Sequence, residues 1–121
     1  MPRVLLPLLL GLFLLIGPAR GEDAVPAGHA VLLGEQKVVE IRAGFKGFSA
    51  ESRARNISRR LAELVRESPL PPITVEETDI SSDILAGEQV LASVFDADAS
   101  AAGKPRAALA ADMAAAFSAA L

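Results

Sequence analysis

SAESRARNISRRLAELVRE, residues 49–67, decides how the rest of the chain is read. Ser49 can accept a hydrogen bond from the first free backbone N–H groups of a helix, and Pro69, Pro71 and Pro72 stop one. At the helical period, Ala50, Ala54, Ile57, Leu61, Leu64 and Val65 fall within an arc of about 100°, the apolar stripe of a helix lying on a sheet. The spacing predicts a helix from Ser49 to about Glu67, so a sheet must be found on either side of it. Upstream, Ala30–Leu33 and Lys37–Ala43 are short apolar runs around Gly34-Glu35, and Val39, Ile41 and Ala43 share one face, which predicts a hairpin. Downstream, Ile73–Thr78 alternates, and Ser82–Leu85 and Gln89–Asp96 read as a second hairpin turned at Ala86-Gly87-Glu88. Val90–Phe95 is apolar on both faces, the pattern of a central strand. Pro105 then opens an alanine-rich helix showing Leu109, Met113, Ala116, Phe117 and Ala120 on one side. The order predicts an α+β domain, a two-layer sandwich with a small, mostly antiparallel sheet and two helices on one face.

The segment before this domain has the pattern of an export signal. Arg3 gives a positive start, Val4–Ile16 is almost unbroken apolar sequence, and Ala19-Arg20-Gly21 offers small residues where a signal peptidase cuts. The run is 13 residues, against ~20 for a membrane-crossing helix, and Pro7 and Gly11 interrupt it. Residues 1–21 are therefore read as a cleavable signal peptide, 22–29 as a flexible lead-in and 30–121 as a domain working in the periplasm or otherwise outside the cytoplasm. The chain has no cysteine, so packing alone must hold it together. Loss of Arg3 and Arg20 with the leader takes the net charge from −3 to −5, which opposes non-specific binding to nucleic acid or anionic lipid. The last predicted helix reaches Leu121 with no glycine or asparagine to end it, and Asp112 near its middle argues against its insertion in a membrane.

Residues with possible chemistry are few. Gly44-Phe45-Lys46-Gly47-Phe48-Ser49 places glycines before a helix start, where backbone N–H groups can hold an anion. Gly44, Lys46, Gly47, Ser49 and Arg53 are thus the candidate anion or partner contacts. The alternative is a plain turn with both phenylalanines in the core, since the phosphate-loop order of glycine, lysine and serine is absent. Asp96-Ala97-Asp98 with Asp79, Asp83 and Glu88 could supply oxygen ligands to calcium, or be a solvated acidic segment. His29 is the only histidine, so neither a zinc site of the usual kind nor a Ser-His-Asp arrangement is readable, and no catalytic residue, metal or cofactor is assigned. Residues 49–66 carry Arg53, Arg55, Arg59, Arg60 and Arg66 against Glu51 and Glu63, while 67–98 hold eight acids and no base. The two stretches can pair with each other, or the arginines can form a basic face for a partner.

Ala43-Gly44-Phe45-Lys46-Gly47-Phe48-Ser49-Ala50-Glu51-Ser52-Arg53-Ala54, Ile57-Ser58-Arg59-Arg60-Leu61, Asp83-Ile84-Leu85-Ala86-Gly87-Glu88-Gln89-Val90 and Val94-Phe95-Asp96-Ala97-Asp98-Ala99 follow one another in an order with a known likeness. The series resembles the N-terminal extracytoplasmic domain that precedes the membrane helices in bacterial mechanosensitive ion channel proteins of the small-conductance type. The resemblance runs from Val31 to about Leu121 and implies a non-enzymatic periplasmic domain. In such proteins the helix matching Pro105–Leu121 leads toward the membrane. No pore residue has a counterpart here, so the implied role is that of a truncated or free-standing relative, with a membrane channel protein or another copy of itself as partner. A small periplasmic ligand- or ion-binding module is the alternative, and a hydrolase is disfavoured because no base stands ready to activate a serine.

Overall fold

The computed structural model describes residues 27–121. The leader at 1–21 and most of the lead-in lie outside the described residues. The elements run β1 (His29–Leu33), β2 (Gln36–Ile41), α1 (Ala50–Leu64), β3 (Ile73–Glu77), β4 (Ser81–Ala86), β5 (Gln89–Phe95), α2 (Asp96–Ala102) and α3 (Arg106–Ala120). The fold is α+β. Its strands divide into two antiparallel sheets, β1-β2 and β3-β4-β5, and a third, short helix joins the two that the periodicity predicts. His29 opens β1 rather than closing the lead-in.

α1 begins where Ser49 accepts a bond from Ser52 N at 3.0 Å, and it buries Ala54, Ile57, Leu61 and Leu64. Val65 falls outside the helix and is 45% exposed, so the stripe ends at Leu64. α1 packs on β1, β2 and β5, and α3 on β2, β3, β4 and β5. Their inner faces meet in one core with Val31, Ile41, Ile84, Leu91 and Val94 from the strands and Met113 and Phe117 from α3.

β5 is an edge strand, and β4 is the central one. The apolar run that reads as a central strand comes from a slip in register: Ile84 faces Ala92 but Leu85 faces Val90, leaving Leu91 as an extra residue on β5. A bulge of this kind turns consecutive side chains toward one face, so Leu91 and Ala92 are both buried without the strand being covered on both sides. Asp96–Ala102 is helix rather than a solvated turn, ending at Gly103 with φ 67°. An alanine run closed by a left-handed glycine is the ordinary helix stop.

Candidate functional site

The loop that precedes α1 is a two-residue hairpin turn. Lys46 and Gly47 both have positive φ, 44° and 86°, and Phe45 and Phe48 exchange backbone bonds of 2.8 and 3.0 Å across them. Left-handed backbone at both central positions marks the turn type that suits twisted strands, and glycine adopts it freely. Gly44 is constrained by space: a Cβ there would come within 2.8 Å of the Phe48 carbonyl oxygen. The turn thus directs the Phe45 and Phe48 N–H groups at each other's carbonyls rather than outward. Only one phenylalanine turns inward. Phe45 stacks on Phe95 with ring centroids 3.6 Å apart and planes within 5°, whereas Phe48 is 57% exposed. Lys46 Nζ and the Arg53 guanidinium lie 5.4 and 5.2 Å from the centroids of Phe45 and Phe95, so cations flank the stacked pair.

Arg53 is one turn into α1, and its side chain points under the hairpin turn. Its Nη1 donates to Asp98 Oδ1 at 2.8 Å and Ala43 O at 2.6 Å, and its Nη2 to Asp98 Oδ2 at 2.9 Å and Ser93 O at 3.1 Å. Asp98 Oδ2 also accepts the Phe95 N–H at 2.8 Å, which fixes the start of α2. The two side chains are only 10% and 8% exposed. A fork-to-fork pair with its remaining donors on carbonyls satisfies a buried charge well enough to tolerate loss of water. Gly44, Lys46, Gly47, Ser49 and Arg53 are therefore neighbours, but the cation among them with the most donors is engaged within the chain.

Arg60 donates to Leu91 O at 3.2 Å, as Arg53 does to Ser93 O, so two arginines of α1 reach carbonyls two residues apart on β5. Between α1 and β5 lies a cleft of about 170 Å³ lined by Phe48, Asn56, Ile57, Arg60, Ala92 and Phe95, with Arg53 and Ser93 behind them. Arg55 pairs with Glu51 on the surface and Arg59 bonds Asn56. Of the described arginines in this stretch, Arg53 alone is paired with an acid of the acidic stretch.

The acids do not converge. Asp98 is bound by Arg53, Asp96 by Arg106 at 3.2 Å, and Asp83 accepts from Ser81 Oγ at 2.7 Å. Among the described residues no group of three or more His, Cys, Asp or Glu is placed to hold a metal ion. Arg106 instead joins α3 to the β3-β4 end, donating to Ser82 Oγ, Thr78 O and Glu77 at 3.2, 3.1 and 3.5 Å, while buried Ser82 donates to Glu77 at 2.7 Å. Among the described residues every buried side-chain polar atom has a partner.

Among the described residues, one open strand edge belongs to β3. Gly87 N bonds Pro72 O and Thr78 N bonds Ser81 O, so the even-numbered residues of β3 turn their backbone groups to β4. By alternation Ile73, Val75 and Glu77 turn theirs away from the sheet. Among the described residues nothing bonds to them. β3 has no bulge, proline or lysine, and its edge protection is limited to its short length and the charges of Glu76 and Glu77. Alternation placed this strand, but its position at an edge was not readable before the pairing order was known.

Residues 30–121 match the model of a family described as a domain of unknown function, DUF8459. The chain belongs to that family. No curated protein and no solved structure matches it.

Proposed function

We propose that this chain is a non-enzymatic interaction domain that works outside the cytoplasm, and that it binds its partner by adding a strand to β3. The observation that carries this reading is the contrast between the two edges of one sheet. β5 has its carbonyls taken by Arg53 and Arg60 and its line broken at Leu91, whereas β3 offers three residues with free backbone donors and acceptors. Strand addition draws affinity from such main-chain groups. Val75 and Ile80, 39% and 61% exposed, lie along or just beyond the same strand and add apolar surface to it. The four sequence blocks that resemble the extracytoplasmic domain of small-conductance-type mechanosensitive channel proteins support an accessory role beside a membrane channel.

The test is a photo-crosslinking residue placed at Val75, and separately at Arg59, in expressing bacteria. The reading expects a discrete crosslinked product from position 75 and none from position 59; equal labelling from both would remove it. A second reading, a small ligand- or ion-binding module, is favoured by the cleft beside Arg60, where a guanidinium and an amide sit over apolar walls. Calorimetry with calcium, magnesium, phosphate and sulfate decides it: heat of binding and a raised melting temperature with any of them support it.

A further inference from the structure

We infer that the strand added to β3 is the β3 of a second copy of this chain, paired antiparallel about a two-fold axis through Val75. The inference rests on the reading of β3 as the binding edge and names its occupant. With Val75 opposite the partner's Val75, Ile73 falls opposite Glu77 and Glu77 opposite Ile73. All three residues with free backbone groups then meet residues of the same kind, which is the condition for a hydrogen-bonded antiparallel pair. Thr74 and Glu76, whose side chains lie on the other face, fall opposite each other, so a hydroxyl that can donate meets a carboxylate that accepts. No glutamate stands directly across from a glutamate. An interface that is the same patch on both copies must be self-complementary in this way.

The helices allow it. α3 packs on β3 and β4, and also on β2 and β5, and a two-fold pairing of β3 edges sets the two α3 helices on the same face of a joined six-stranded sheet. Leu109 is on the flank of α3 toward Arg42 and Ala102. The opposite flank, on the β3 side by helical spacing, carries Ala107, Ala111, Ala114 and Ser118. Val75 is 39% exposed, and pairing would close over part of that surface.

Sedimentation equilibrium over a range of concentrations tests the inference on the chain purified after expression with its leader. The expected result is an apparent mass rising to that of two chains. Val75→Pro should remain a single chain throughout with an unchanged circular dichroism spectrum, because the N–H it deletes bonds nothing within the chain. Ala111→Gln, at an exposed helical position, should raise the dimer dissociation constant at least tenfold and guards against misfolding of the proline variant. The chain lacks cysteine, so Val75→Cys introduces the sole thiol, and oxidation with diamide should link two copies at least tenfold faster than it links Arg59→Cys. A single-chain mass at every concentration, or a Val75→Pro variant that still dimerises, overturns the proposal. If self-association fails, a different protein captured by the photo-crosslinker at Val75 leaves the interaction reading standing, and absence of any product there removes both.

Discussion

Arg53 and Asp98 lie 45 residues apart in sequence and share two hydrogen bonds, and the same guanidinium donates two more, to the carbonyls of Ala43 and Ser93. Removing one partner of such a pair leaves a charge with little water to solvate it, which costs more than the pair itself contributes. Asp98→Ala should therefore lower unfolding free energy by about 3–5 kcal/mol in a urea titration, while Glu51→Ala, which breaks the surface pair with Arg55, should change it by less than about 0.5 kcal/mol. Comparable losses from both would show that the buried pair is not the fastener we describe. Glu40 gives a second test at this scale. Its carboxyl is held below the ordinary value of 4.5, chiefly by the hydrogen bond from Lys37 Nζ at 2.7 Å and that ammonium's charge, with Arg42 adding to the effect. A carboxylate favoured in the folded state stabilises fully above its unfolded value and loses that contribution as pH falls through the lower folded one. Nuclear magnetic resonance titration should place the Glu40 midpoint below 4.5, and Lys37→Ala should raise it; an unchanged midpoint in that variant would assign the shift to Arg42 instead.

Among the elements, α1 is where sequence and structure agree most closely, since a period and a cap are local signals that need no knowledge of the partner. Leu61 is fully buried and Arg59 faces outward with a single bond to Asn56. Leu61→Ala should cost about 2–5 kcal/mol by thermal or urea unfolding, and Arg59→Ala within about 0.5 kcal/mol of nothing. Equal costs would mean that the faces are assigned wrongly. The hairpin turn before α1 depends on backbone geometry: Gly44→Ala sets a methyl group 2.8 Å from a backbone oxygen that cannot swing aside, and should destabilise by about 1–3 kcal/mol. The strands were legible as strands because alternation is local too. Their division into two sheets was not, nor was the edge position of β5, because an extra residue at Leu91 imitates a strand buried on both faces. α2 was hidden by its acids: Asp96 and Asp98 read as a turn, and only the approach of Arg53 from α1 reveals Asp98 as a buried partner. The candidate contacts at Gly44, Lys46, Gly47, Ser49 and Arg53 are adjacent as read, yet which way Arg53 points depends on a carboxylate far along the chain.

For the molecule as a whole, the proposal with the largest consequence is that the chain is exported and freed from the membrane, since a free domain and a tethered one meet different partners. No described helix is long and apolar enough to cross a bilayer. α3 has 15 residues, which as a helix is about 22 Å long against a hydrocarbon core of about 30 Å. It also carries Asp112, held on the surface by Lys104. Its buried face, with Ala110, Met113 and Phe117, is committed to the core, so insertion would require the domain to come apart. The apolar run at Val4–Ile16 is then the segment that decides, and its small residues at Ala19 and Gly21 favour cutting over anchoring. Fractionation of expressing bacteria, with mass spectrometry of the N-terminus, should find a chain beginning at Glu22 in the periplasmic extract. Gly21→Leu should slow that cut, because the peptidase accepts small side chains there, and should shift uncut chain to the membrane pellet. Unaltered chain starting at Met1 or Pro2 in the pellet of the parent strain would show that the run is an anchor; the β3 edge would then be presented from the membrane surface, and pairing between copies would be governed by their density in the bilayer.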